Sequence, residues 1–269
     1  MNLSGKIIKE QFKQKSKYVY LVLIVQIIVS VFAISLALFN KNGSQYSSLF
    51  YESNHFTEVA FETAFIISIF ADVAYCAISC WRNEKVNLSE TWNLIPVSSG
   101  KLWLNNIFSS LLTCAYIFIV QNVLLALVAL STKNDITAPL REYGLWGNEL
   151  IISSIIERLI FLILMVTFIY AFVSFVNFCS KVIVDRLPFK ETLWIKLFVM
   201  AVLSIIAVYF GSIILARTAG YIETHFTQIN TKYTFISDPM WFDNLELLIA
   251  DIIVGIIDII LINKYVESK

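Results

Sequence analysis

The sequence predicts an all-α integral membrane protein of six transmembrane helices, preceded by an N-terminal amphipathic interfacial helix. Three observations carry that reading: four apolar runs of bilayer length, a composition too apolar for a soluble domain, and charges sorted by loop. The clearest runs are residues 18–39, 107–130, 150–178 and 195–216. A bilayer core is about 30 Å thick and a helix rises about 1.5 Å per residue, so roughly 20 apolar residues cross it. Each of the four runs is that long. The chain is 58% hydrophobic and 15% charged, with a mean hydropathy of +0.74, whereas soluble domains lie near roughly 45–50% apolar and about 25% charged. Eight glycines and four prolines are too few for collagen-like or low-complexity chains.

The elements follow in chain order. In residues 1–17, Lys6, Lys9, Lys13, Lys15 and Lys17 punctuate Leu3, Ile7, Ile8 and Phe12, which sit at helical spacing. That pattern predicts a helix lying in the headgroup layer, the alternative being a plain basic tail. The apolar run that follows has full membrane length, and no small-x-small cleavage site precedes the Asn40-Lys41-Asn42-Gly43 turn. The first span, 18–39, is therefore expected to be retained rather than cleaved as a signal. Span 2, residues 59–80, carries Glu62 and Asp72 but is apolar on both sides of the aspartate. A polar stretch, 81–106, leads to span 3 at 107–130. Span 4, 150–178, has Glu157 and Arg158 near its start, and a short polar loop joins it to span 5 at 195–216. The loop 217–243 is rich in Thr and aromatics. Span 6, 244–262, is the weakest, interrupted by Glu246, Asp251 and Asp258.

Lysine and arginine counts set the orientation. With the N-terminus inside, the inner segments and C-terminal tail hold fourteen basic residues and the outer loops five, namely Lys41, Lys133, Arg141, Arg217 and Lys232. Both termini are thus expected in the cytoplasm, with the chain in a plasma membrane, expected to be bacterial. Three spans in each half permit an inverted repeat without demonstrating one.

Several chemistries are excluded. Gly100-Lys101 has Ile95 where the first glycine of a phosphate-binding loop belongs and Leu102 where its hydroxyl belongs. No H-E-x-x-H or G-x-S-x-G occurs, and His55 and His225 both fall in expected outer loops. Cys76 and Cys80 stand one helical turn apart without a histidine nearby, and Cys114 and Cys179 also lie in or beside apolar stretches. All four cysteines are read as small apolar packing rather than disulfides or zinc ligands. No enzyme activity, metal or nucleic-acid partner is expected, and any uphill transport must draw energy from a partner or an ion.

The most informative polar stretch is the first inner loop. It contains Asn83-Glu84-Lys85, then Leu94-Ile95-Pro96-Val97-Ser98, and enters span 3 through Lys101-Leu102-Trp103. Leu88, Trp92 and Ile95 share a helical face, which predicts a short surface helix stopped by Pro96. Such a stripe at the membrane rim suits docking of a cytosolic partner; the plainer reading is a solvated connector. With its basic N-terminus, six spans and these loop residues, the chain resembles the permease subunits of ABC-2 type exporters. The resemblance covers the whole topology, but its motif is short and names no cargo. It implies a cytoplasmic coupling loop over 81–106, with Glu84, Asn87, Leu88, Trp92 and Pro96 as the contact with a separate ATPase that binds ATP and magnesium. It also implies a second permease copy, and an outer loop that dips back into the membrane. The loop 217–243 has the length and the residues for that, in Tyr221, Ile222, Phe226, Ile229 and Phe235. A second, weaker cytoplasmic contact is expected at Asp185, Pro188 and Phe189. The acidic load of spans 2 and 6 departs from what a lipid exporter would carry.

Intramembrane charge is costly, about 2.5–3.5 kcal/mol per residue at a helix centre on insertion scales. Asp72 and Asp251 fall near mid-span, with Glu62, Glu157 and Asp258 nearer the ends, and Arg158 cannot neutralise five carboxylates. Some must be held neutral by desolvation or face a hydrated cavity. They line either a translocation path or interhelical packing contacts. Trp81, Trp103, Trp194 and Trp241, with Tyr18 and Tyr265, are read as interface anchors. Cargo classes open to an exporter of this kind are peptides, drugs and lipids, resistance to an antimicrobial peptide among them. Two other readings stay open: an ion-coupled secondary transporter using the carboxylates, and a non-transporting membrane anchor or immunity protein.

Overall fold

The computed structural model describes residues 3–39, 56–131, 150–186, 192–226 and 241–266, and every regular element among them is helical. In order these are α1 (Leu3–Phe39), α2 (Phe56–Asn87), the one-turn α3 (Glu90–Asn93), α4 (Ser99–Ser131), α5 (Leu150–Val184), α6 (Thr192–Phe226) and α7 (Trp241–Leu261). A π-helical turn, Ile262–Val266, closes the last. Five of them, α1, α2, α4, α5 and α6, are long and apolar enough to cross a membrane. Helix α7 has 21 residues, a length that also suits a bilayer, but carries Asp243, Glu246, Asp251 and Asp258.

The helices overrun the spans read from hydropathy. Helix α1 has 37 residues and α4 has 33, while roughly 20 suffice for the hydrocarbon core. The expected separate interfacial helix at 1–17 is corrected: residues 3–17 are the first turns of the same unbroken helix as span 1. The reason is visible in the burial pattern. Ile7, Gln11, Lys15, Val19, Val22 and Gln26 are buried at intervals of three and four residues, so one face packs continuously along the helix. Likewise 81–87, 99–106 and 180–184, expected as loop, are helical. Residues 217–226, expected in the outer loop, continue α6, and residues 227–240 of that loop lie outside the described residues.

The chain divides into two compact units, Met1–Ser89 with Leu104–Asn148, and Glu90–Trp103 with Glu149–Lys269. In the first, α1, α2 and α4 bury Val19, Val22, Leu23, Ala71, Tyr75 and Ile117 together. Most other large apolar side chains of these helices face outward, as expected where lipid is the solvent. In the second unit α5 packs against both α6 and α7, and Asn244 Nδ2 donates to the Glu157 carbonyl at 3.1 Å. The first turn of α4 joins this unit. Its start is set by Ser98, whose carbonyl accepts from the Leu102 N–H at 3.0 Å, the position favoured for serine at a helix N-cap.

Two close approaches hold that turn in place. The Gly100 N–H donates to Asn263 Oδ1 at 3.1 Å, and a Cβ at Gly100 would lie 3.2 Å from Ile259. One turn on, Trp103 is buried, with the nearest ring atom 3.7 Å from where a Cβ of Gly255 would stand. Trp103 is therefore a packing residue and not the interface anchor expected; Trp81, Trp194 and Trp241 are exposed, as anchors would be. Gly100→Val should cost about 1–3 kcal/mol through overpacking, read as a lowered unfolding temperature in detergent. Ser98→Gly should cost only about a few tenths of a kcal/mol, because glycine is itself well accepted at an N-cap.

Candidate functional site

The polar residues of the first unit gather where the C-terminus of α2 meets the first half of α1 and the start of α4. At the centre is Lys15, only 3% exposed. Its Nζ donates to Asn106 Oδ1 at 2.7 Å, the Asn106 carbonyl at 2.8 Å, Ser109 Oγ at 2.7 Å and Ser110 Oγ at 2.6 Å. An ammonium has three protons, so these acceptors surround it completely. All are uncharged. A buried cation is tolerable only when its hydration shell is replaced in this way.

The second layer ties the cage to α2. Asn106 Nδ2 donates to the Asn83 carbonyl at 3.0 Å and to Asn87 Oδ1 at 2.8 Å, and Ser110 Oγ donates to Asn83 Oδ1 at 2.7 Å. Asn87 Nδ2 reaches Glu84 Oε1 at 3.2 Å. A connected path of hydrogen bonds thus runs from Lys15 on α1 through Asn106 on α4 to Asn87 and Glu84 on α2. Ser4 Oγ donating to Asn105 Oδ1 at 2.7 Å and the Arg82 guanidinium 5.2 Å above the Tyr18 ring add further ties. Each pair is set by helical register: Asn83 and Asn87 are one turn apart on α2, and Asn106, Ser109, Ser110 and Thr113 form one stripe on α4.

Of the residues expected to contact a partner, Glu84 and Asn87 are brought together at this site. Helix α2 ends there, with Leu88 N–H donating to the Glu84 carbonyl at 3.1 Å and Ser89 N–H to Val86 at 3.1 Å. Leu88 lies in the turn and not on a helix, so the stripe of Leu88, Trp92 and Ile95 on one surface helix is corrected. The surface helix is the single turn of α3, which ends at Asn93. A residue preceding proline is driven out of the helical region, and that stops α3 before Pro96. Trp92 is half-buried and Pro96 exposed; both belong to the second unit. The most exposed apolar side chain of the connection is Leu94, at 84%.

Asp185 occupies the exposed turn after α5, its N–H bonded to the Lys181 carbonyl at 2.9 Å. Pro188 and Phe189 lie outside the described residues, and of Glu62 only the backbone, in α2, is described. Asp72 is half-buried, beside Gln121; Gln121 itself donates to Gln26 Oε1 at 3.0 Å. In the second unit Glu157 is buried and Arg158 half-buried. Asn244, Asp251 and Asp258 recur at seven-residue spacing on α7. Asn244 and Asp258 are fully buried, and both Asp251 oxygens are shielded without a hydrogen-bond partner among the described residues. Among the described residues no group of three His, Cys, Asp or Glu is placed to hold a metal ion, and the four cysteines are free thiols.

Lys15 and its cage were not singled out by the sequence, where Lys15 is one of five N-terminal lysines. The available signal was the recurrence of Asn106, Ser109, Ser110 and Thr113 on one face of an otherwise apolar run. Compared with known proteins, the chain matches no family model, no curated protein and no solved structure.

Lys15→Met removes the donor but leaves its acceptors buried, each unsatisfied group costing about 1–3 kcal/mol. Thermal unfolding in detergent should fall clearly for Lys15→Met, whereas Lys13→Met, at an exposed position, should change stability by less than about 0.5 kcal/mol.

Proposed function

We propose that this chain is the permease subunit of an ATP-binding-cassette exporter, crossing the membrane six times with α7 as the sixth crossing and both termini in the cytoplasm. The observation that carries the reading is the polar joint at the end of α2. Glu84 and Asn87, at the mouth of the α2–α4 connection, are bonded through Asn106 to the buried ammonium on α1. A displacement applied there is resisted by buried hydrogen bonds that link the three helices, so it moves α1, α2 and α4 together instead of bending one loop. That is what a transporter without a nucleotide site of its own requires of its cytoplasmic face. Leu94, Trp92 and Pro96 offer an apolar tip in the α2–α4 connection, chemistry suited to a groove on a soluble ATPase.

In this scheme a separate ATPase binds ATP and magnesium, and a second permease copy completes the path. Closure of the ATPase pair pushes the 81–106 segment, and the membrane helices alternate between inward and outward access. The cargo class is a peptide, drug or lipid. A second reading, ion-coupled transport, is favoured by one observation: the shielded and unpartnered Asp251 carboxyl in α7. It needs no ATPase and should fail with Asp251→Asn while protein level and assembly are kept.

Affinity purification of the full chain in a mild detergent from its own cells tests the main proposal. An ATPase with a nucleotide-binding loop should co-purify, and Leu94→Glu should reduce its recovery at least tenfold without lowering permease level. Recovery of no ATPase from intact membranes, with transport abolished by an uncoupler alone, would favour the ion-coupled reading instead.

A further inference from the structure

An open groove of about 520 Å³ runs between α1 and α4 on the outside of the first unit. Its walls are apolar: Ile8 and Phe12 on α1 face Leu112, Ala115 and Ile119 on α4, with Gly5 and Lys9 at the α1 side. The α1 positions recur as i, i+3, i+4 and i+7, and so do the α4 positions, so the two helices present facing stripes. Tyr116 shapes the groove and is held in place from two sides. Phe12 meets it edge-on at 6.2 Å between ring centroids, and the Tyr20 hydroxyl lies 3.2 Å from its own. The walls are thus preformed.

A second feature borders the first. Lys6, Lys9, Lys13 and Lys17 are all exposed and fall at intervals of three, four and four residues. They make one basic stripe along α1, away from the buried face that carries Lys15, and Lys9 belongs both to the stripe and to the groove. Glu10, which accepts from Gln14 at 3.5 Å, is the single carboxylate in this part of the chain. The stripe is therefore strongly cationic, and its positions fall just before the apolar run that begins at Tyr18, at headgroup level.

We propose that the α1–α4 groove is a binding site for one anionic phospholipid, its acyl chain lying along Ile8, Phe12, Leu112, Ala115 and Ile119 and its phosphate held by Lys9 with Lys6 and Lys13. Lipid tails are as apolar as leucine, so filling the groove gives little preference among lipids by itself. Discrimination comes from the headgroup, and the cytoplasmic leaflet, where anionic lipids concentrate, is the one the lysines are expected to face. A neutral choline lipid would fit the groove but leave the lysine stripe uncompensated. This site is independent of the transport reading and does not require an ATPase.

Native mass spectrometry of the full chain, purified in detergent and offered equal phosphatidylglycerol and phosphatidylcholine, tests it. One phosphatidylglycerol should be retained in preference to phosphatidylcholine. Each nearby lysine contributes about fivefold in affinity, so Lys9→Gln should cut the preference by about that factor. The triple change K6Q/K9Q/K13Q should abolish it. Ala115→Phe, which fills the groove but leaves the lysines, should lose the retained lipid while its unfolding temperature stays near that of the wild type. Lys9→Gln keeps the test valid should Ala115→Phe fold poorly, because Lys9 is exposed. Equal retention of the two lipids by the wild type would overturn the proposal. So would a preference that survives the triple change, or displacement of the lipid by millimolar inorganic phosphate, which would mark a simple anion site.

Discussion

A lysine ammonium taken out of water has to be given back its hydrogen bonds, and the arrangement of α1, α2 and α4 at one end of the first unit follows from meeting that demand at Lys15. The four acceptors around Nζ come from one stripe of α4, which fixes the axial register of α4 against α1. Asn106, turned toward the lysine by its carbonyl oxygen, has its amide protons left for α2, and these go to the Asn83 carbonyl and to Asn87. The orientation of one side chain therefore aligns three helices. In a bilayer, where apolar surfaces gain nothing by leaving lipid for one another, a buried polar network of this kind can specify a packing that leucines and valines alone would leave free to slide.

Specificity of this sort has a cost in vulnerability. A buried network loses stability with each partner removed, because each orphaned group keeps its desolvation penalty. The same property makes it a good joint. Exposed Lys6, Lys9, Lys13 and Lys17 can each find water or a lipid phosphate in many geometries, but Lys15 has one. The two roles lie on opposite sides of a single helix: an inner face that holds neighbouring helices in register, and an outer face whose charge suits the membrane surface.

The fold class was legible in the sequence because bilayer thickness dictates the length of an apolar run, and 107–130, 150–178 and 195–216 are long enough to be unmistakable. Helix ends were less legible. Hydropathy marks where apolar side chains stop, not where hydrogen bonding stops, so 81–87 and 99–106 look like loop although they continue helices, and the helix at 3–17 looks separate from span 1 although the two are one. The one-turn α3 was foreseen through Pro96, but its length was not, since the residue before a proline already leaves the helix. Glu84 and Asn87 were reached from a short loop motif. Lys15 was hidden among four similar lysines whose surroundings differ only once α4 is in place. Charged residues inside apolar spans stand out in a sequence, and neutral polar ones do not. Asn106, Ser109 and Ser110 therefore carry no comparable signal, and Trp103 has the sequence position of an interface anchor although its ring is buried near Gly255 of α7.

The central claim is that Lys15 and Asn106 act as one unit in joining α1 to α4. A double-mutant cycle on unfolding free energy in detergent, with Lys15→Met, Asn106→Leu and the combination, addresses it directly. Residues that share a network show coupling of about 0.5–3 kcal/mol, so the double variant should be markedly less destabilised than the sum of the single changes. Simple additivity of the two single effects, to within about 0.3 kcal/mol, would contradict it.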